Sequence, residues 1–283
     1  MILLRQLWNL RHLLFSLVKR DLKVRYKGSV LGFFWSFGRP LFLMLILTTV
    51  FSLIIPIGYD PARAQQIPFA LFLLSGILCW MYTAGSLHEG VNVLHANASL
   101  IRKVAINSAV FPAASVVGNL VHLVLAFSIY LLFLLWFGRG VSPAILLMVP
   151  VLAIQTLLVL ALVMLASSLN VFYRDVGSLT ELLITGWFYL TPILYPVDLA
   201  LREIATRFPH HATTLQAIYL LNPMAPVAIA YRRALLAPPP DMRELPDAEL
   251  LAWLGISGAV SLGLFVVASR VFRARCTMFA DEL

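Results

Sequence analysis

Residues 143–170 read PAILLMVPVLAIQTLLVLALVMLASSLN, a run without one charged side chain. About 20 helical residues cross a hydrocarbon core of about 30 Å, and this run is longer than that. Hydrocarbon offers the backbone no water, so a segment placed there must close its own hydrogen bonds, which makes it a helix. A buried helix of a soluble protein would need charged surface elsewhere to cover it. The composition denies that surface: 61% of residues are hydrophobic and 12% charged, with mean hydropathy +0.90. Soluble domains carry about 25% charged residues. Lipid must therefore cover much of this chain.

Similar runs lie on both sides. Residues 67–87, 109–137 and 251–269 carry no charge, 31–55 carry only Arg39, and 176–197 carry only Glu181. The pattern predicts an all-α integral membrane protein with six transmembrane helices, spanning 31–55, 67–87, 109–137, 143–170, 176–197 and 251–269. Residues 217–230 are apolar but too short to cross and hold Pro223 and Pro226. The 198–250 segment therefore reads as an outer segment with short re-entrant helices.

Ahead of the first span, Leu3, Leu7, Leu10, Leu14 and Leu17 alternate spacings of four and three. Arg5, Asn9, His12, Ser16, Lys19 and Lys23 do the same, two positions offset. Two positions turn a helix by about 200°, so the stripes face opposite ways. A leucine face opposite a basic one suits the headgroup region, and residues 1–28 read as an amphipathic interface helix. No cleavable signal peptide is read there, because charges interrupt residues 1–27 throughout.

Orientation follows from lysine and arginine. With the N-terminus inside, the inner segments hold thirteen and the outer loops seven, five of them in the long 198–250 segment. Both termini and residues 88–108 are expected in the cytoplasm, and residues 57–66 and 198–250 outside. The net charge of +8 then reflects anionic headgroups at the inner face, with no nucleic acid partner. Cys79 lies in an apolar run and Cys276 near the C-terminus, so no disulfide between them is expected.

Several chemistries have no residues to carry them. No GxxxxGK[ST] loop occurs, so the chain itself has no P-loop site for ATP. His88–Glu89 opens HEGVN rather than HExxH, and His210–His211 lack acidic or cysteine neighbours. No cofactor or metal is expected on this chain. Arg39 and Glu181 each cost roughly 2.5–3.5 kcal/mol at mid-membrane. They are expected to face the protein interior, near each other or near a path through it.

The segments between spans carry ordered signatures. Arg20–Gly32 reads RDLKVRYKGSVLG and runs into Phe33-Phe34-Trp35 and Pro40; Asn97–Val104 reads NASLIRKV, followed by Phe111-Pro112. Asn170–Val176 reads NVFYRDV, Tyr189–Pro196 reads YLTPILYP, and Asn222-Pro223 follows. Together, over roughly residues 15–235, these resemble the RYK-S-LG-W-P, N-x-x-L-I-K-K-V, FxRD, S/T-P-I-x-Y and NP signals of the ABC type-2 permeases that export polysaccharides such as O-antigen, capsule and teichoic acid. One departure is local: Ile106-Asn107-Ser108 stands where the Phe-Pro pair is expected sooner.

The resemblance implies a homodimer in the bacterial cytoplasmic (inner) membrane. Each copy would pair with a separate nucleotide-binding ATPase subunit that holds ATP and Mg. The implied substrate is a glycan on an undecaprenyl pyrophosphate carrier. Coupling to the ATPase is expected at Leu94, Asn97, Leu100, Ile101, Arg102 and Lys103, with Arg174 and Asp175. Arg20, Lys23, Arg25 and Lys27 are candidates to meet the pyrophosphate or headgroups, unless they only set topology. Arg39, Glu181, Trp187, Phe188, Tyr189 and Tyr195 are candidates for the translocation path, unless the aromatics form an interfacial belt. Two alternatives stay open. One is the same fold exporting another lipid, drug or lipo-oligosaccharide. The other is a membrane-embedded glycolipid-modifying enzyme, which would call for paired carboxylates or a histidine cluster.

Overall fold

The computed structural model describes residues 9–26, 35–50, 67–103 and 107–283. Their regular structure is helical throughout, with no strand among the described residues. Helix α1 is Arg11–Tyr26, α2 Trp35–Thr49, α3 Phe69–Gly90, α4 Val93–Ala96, α5 Ala98–Lys103 and α6 Val110–Trp136. A 3-10 turn at Pro143–Leu147 leads into α7, Met148–Asn170. Then come α8 Asp175–Leu190, α9 Val197–Arg207, α10 Ala212–Leu220, α11 Met224–Leu236, α12 Asp247–Arg275 and α13 Phe279–Glu282.

Four helical stretches are long and apolar enough to cross a membrane: α3, α6, the turn with α7, and α12. The chain is a multi-pass membrane protein. The remaining two expected spans differ from the sequence reading. Residues 31–34 and 51–55 of the first lie outside the described residues, and α2 covers its middle. The fifth was expected to reach residue 197, but α8 ends at Leu190. Its 16 residues, at 1.5 Å each, reach about 24 Å. Pro192 disfavours helical backbone at the residue before it, and Thr191 is extended there. The Thr191 hydroxyl donates back to the Trp187 carbonyl at 2.8 Å and closes the helix end.

Helices α7 and α12 share the most extensive packing, and α3 packs against α6, α7 and α11. Gly90 lets α3 approach α7: a Cβ there would stand 2.4 Å from Val163 Cγ1. One buried polar group is used at this junction. Gln155 Nε2 donates to the Cys79 carbonyl at 2.8 Å and to Thr83 Oγ1 at 2.9 Å, and the Tyr231 hydroxyl donates to Gln155 Oε1. With its bonds met, the amide ties α3, α7 and α11 together where water is absent.

Segment 198–250 is more folded than its sequence announces. Residues 217–230 are not one stretch: Asn222-Pro223 divides them between α10 and α11. Every residue of α11 is buried, packed among α3, α7 and α12. It stops at Ala237, whose φ of 44° is left-handed, just before three prolines. At the opposite end of the bundle α1 lies along α6 through Leu17 and Val18, while Lys19 and Lys23 stay exposed.

Candidate functional site

Two regions hold residues singled out from sequence, and a third lies beside them. At the first, the loops between helices gather around two asparagines. Arg20 of α1 donates to Asn97 Oδ1 at 2.8 Å and ion-pairs with Asp21. Asn97 Nδ2 donates to the Val93 carbonyl at 2.8 Å. Asn170, at the end of α7, donates from Nδ2 to the Val91 carbonyl at 3.1 Å and to Asn92 Oδ1 at 3.0 Å. Its Oδ1 accepts from the Gly177 N–H at 3.1 Å, and its carbonyl accepts from His95 Nε2 at 3.1 Å. The C-terminal helix α13 closes the cluster: Phe279 is fully buried against Phe272 and Phe172.

The second region is α8. Ile184 is its one buried side chain, although it is an apolar helix in a membrane protein. Glu181 is 68% exposed and its carboxylate stands 3.9 Å from His88 Nδ1. Toward the other end the aromatics assemble. Trp187 and Phe188 pack on Trp80 with ring centroids 5.7 and 5.5 Å away, and Phe188 meets Tyr189 edge-on at 5.2 Å. The Trp187 indole N–H donates to Asn222 Oδ1 at 2.8 Å, and Asn222 Nδ2 donates to Thr191 Oγ1 at 3.0 Å. The Tyr195 hydroxyl lies 3.0 Å from both the Tyr189 carbonyl and the Tyr219 hydroxyl. Burial, and the hydrogen bond with Tyr195, push the Tyr219 phenol well up, so it stays neutral. Trp187, Phe188, Tyr189 and Tyr195 thus form one ledge at the top of α8, joined by Trp80, Tyr219 and Asn222.

The third region lies beside that ledge. Arg232, in the middle of α11, ion-pairs with Glu244 and donates to the Pro192 and Ile193 carbonyls. Its guanidinium also stacks 3.9 Å from the Phe72 ring centroid. Glu244 Oε2, the oxygen nearest Arg232, also accepts from the Val197 N–H at 2.7 Å. Arg233 next to it is held by Asp247 and by the Leu245 carbonyl. The most buried charge of the corner, Arg232, has its own counterion, as burial requires, while Asp247 is shared between Arg233 and Arg243.

The sequence of this chain matches the ABC-2 type transporter family over residues 12–236. The chain belongs to that family. It is 33% identical over 282 residues to the O-antigen export system permease protein RfbA of Myxococcus xanthus, covering 99% of each chain. It is 30% identical over 284 residues to a protein of the same name from Klebsiella pneumoniae, again covering 99% of each. A further Klebsiella pneumoniae relative of that name is 30% identical over 272 residues, covering 96% of this chain and 95% of its own.

In this ABC-2 type chain the matched region runs from within α1 to the last residue of α11. Of the coupling candidates, Leu94, Asn97 and Ile101 are buried inside the chain and Leu100 is half-buried. Arg102, Lys103, Arg174 and Asp175 are exposed, and no ion pair holds them among the described residues. Arg20 is engaged by Asn97 and Lys23 is exposed. The side chains of Arg25, Lys27 and Arg39 lie outside the described residues. Sequence reasoning missed Asn170, Asn222, Arg232 and Glu244 as organising residues. Arg232 was counted as an outer-loop charge, and Glu244 sits in the acidic stretch 241–249, which resembles none of the family's signals. The signal for Asn170 and Asn222 was present: the first is an amide at the end of an apolar run and the second interrupts one just before a proline, and at both places a free backbone group needs a partner.

Proposed function

We propose that this chain is the transmembrane permease subunit of an ABC exporter that moves undecaprenyl-linked, O-antigen-like polysaccharide across the bacterial cytoplasmic membrane. ATP hydrolysis in a separate nucleotide-binding subunit, which holds the ATP and Mg, drives it. The observation that carries this reading is similarity along almost the whole chain to permeases named for O-antigen export, in a family that supplies the membrane part of transporters.

The geometry supports it in three ways. Helix α8 leaves Glu181 and Tyr189 uncovered, and a carboxylate facing lipid is costly. A second copy of the chain, enclosing a wet path between the two α8 helices, removes that cost. Sugars stack on aromatic faces, and the ledge of Trp187, Phe188, Tyr189 and Tyr195 offers such faces at the outer end of the path. At the other end Arg102, Lys103, Arg174 and Asp175 stand exposed where an ATPase subunit grips the permease. In this reading the chain has six spans, completed by 31–55 and by α8. Helix α11 is re-entrant, α1 lies at the inner interface with Lys23, Arg25 and Lys27 toward phosphate groups, and both termini are cytoplasmic.

The test is co-purification with the nucleotide-binding subunit followed by ATPase assay in proteoliposomes. The lipid-linked glycan should stimulate hydrolysis and appear on the far side of the membrane. A complex stimulated by a different lipid or drug, with no glycan moved, would replace the proposed substrate.

A further inference from the structure

We infer that Asn170 is a positioning residue that makes the first inner loop and helix α8 move as one. Displacement of segment 94–103 by an ATPase would then reach the helix that carries Glu181 and Trp187. The inference rests on the partner-driven reading above.

The amide is placed for that task. Asn170 is 3% exposed, and its side chain bonds outward in opposite directions. Nδ2 holds the loop through the Val91 carbonyl and Asn92 Oδ1. Oδ1 holds the first turn of α8 through the Gly177 N–H. That N–H has no partner within its own helix, because the first turn of any helix leaves its donors free. His95, on the same loop as Val91, adds a bond to the Asn170 carbonyl. One residue thus meets the loop at three points and α8 at one.

Helix α8 is held to its own bundle mainly at its far end, where Trp187 and Phe188 pack on Trp80 and Trp187 bonds to Asn222. Elsewhere it packs lightly on α3 and α7, with Ile184 alone buried. A helix pinned at one end swings at the other with whatever grips its first turn. Segment 94–103, by contrast, is anchored through Leu94 and Ile101, so a push on it turns the loop as a body and carries the loop bonds of Asn170 with it. The exposed Arg102 and Lys103 offer the handle.

The test uses the permease with its ATPase subunit in proteoliposomes, in a Cys79→Ala, Cys276→Ala background. One reporter cysteine is placed at a time, by Ser99→Cys on the segment or Leu182→Cys on α8, both at exposed positions. Maleimide labelling rates are compared with and without ATP. With Asn170 intact, ATP should shift both rates. With Asn170→Ala the Ser99 shift should remain while the Leu182 shift falls about fivefold or more, the low end of ordinary intersite coupling. Asn92→Ala, at an exposed side chain, removes one of the bonds alone and should give a smaller loss of the same kind, which serves if Asn170→Ala fails to assemble. A Leu182 shift that survives Asn170→Ala overturns the inference. So does loss of both shifts together, which marks a merely structural residue. If Ser99 does not respond to ATP with Asn170 intact, the partner-driven reading falls and takes the inference with it.

Discussion

Arg232 and Glu244 form an ion pair at 3.0 Å with side chains 2% and 8% exposed. The pair links α11 to the stretch before α12, and ties both to the corner at Pro192-Ile193 and to the start of α9 through the Val197 N–H. Removing one partner leaves a buried charge without its counterion, which costs about 3–5 kcal/mol. Glu244→Gln should therefore lower the melting temperature in detergent sharply. Arg232→Met with Glu244→Leu should cost less than the sum of the two single changes. Simple additivity would show that the two side chains act independently.

Gly76 lies against the same corner. A Cβ on it would stand 2.8 Å from the Ile193 carbonyl oxygen, which is backbone and cannot swing away. Gly90 meets a side chain instead, Val163. Overpacking of this kind costs typically 1–3 kcal/mol. Both Gly76→Ala and Gly90→Ala should destabilise the protein, but only the second has a repair. Val163→Ala should restore most of the stability lost in Gly90→Ala, measured as a double-mutant cycle of thermal unfolding. No recovery would mean that the close approach of α3 to α7 is not the source of the loss.

The apolar spans were the legible part of the fold, because hydrocarbon imposes one solution on an uncharged run. What hid was how the chain folds against itself. Leu94, Asn97 and Ile101 were expected to meet the ATPase, but spacing does not say whether a residue meets a partner or the chain's own helices. They are buried at home, and the exposed Arg102 and Lys103 are left to face outward. Pro223 and Pro226 argued against a long helix, and α11 starts right after the first of them, as proline in a first turn permits. Arg232 and Glu244 stand twelve residues apart across a triple-proline break, a pairing that no local pattern encodes. The aromatics of 187–195 were legible as a group, while their organiser Asn222 was read only as part of a motif.

Tyr189 separates a sugar-stacking ledge from an interfacial belt. It is 65% exposed, and its backbone carbonyl, which Tyr195 uses, survives substitution. Exposed positions of this kind change stability by about 0.5 kcal/mol or less. Tyr189→Ala should therefore melt like the parent yet export glycan more slowly in a reconstituted assay. Trp187→Phe should behave differently, because it strips the indole donor from Asn222. Asn222 Oδ1 keeps the Met224 N–H at 3.1 Å, so the loss is that of one hydrogen bond, about 0.5–1.5 kcal/mol, and that variant should lose some stability as well as transport. Unchanged export by Tyr189→Ala would assign the exposed ring to the membrane interface.

Arg102 and Lys103 are the sharpest test of where an ATPase takes hold. Both side chains are exposed at the end of α5, and α13 packs on the same short helix from the C-terminal side. A double charge reversal, Arg102→Glu with Lys103→Glu, touches no buried bond described here. The fold should therefore survive, with melting unchanged. If these side chains meet acidic groups of the ATPase, the reversal places like charges in contact, and co-purification of the two subunits should weaken. High salt should weaken the parent complex in the same direction, since exposed charge pairs are screened within about 8 Å at physiological ionic strength. If instead the two residues act only in setting topology, the reversal should invert or scatter the inserted protein. Cysteine accessibility at Asp60 and Ser99 in intact cells reads that outcome directly. Correct insertion with loss of the ATPase subunit places the grip at α5; correct insertion with full ATPase binding and unaltered export moves it away from α5, with Arg174 and Asp175, also exposed at this end of the bundle, as the next pair to reverse.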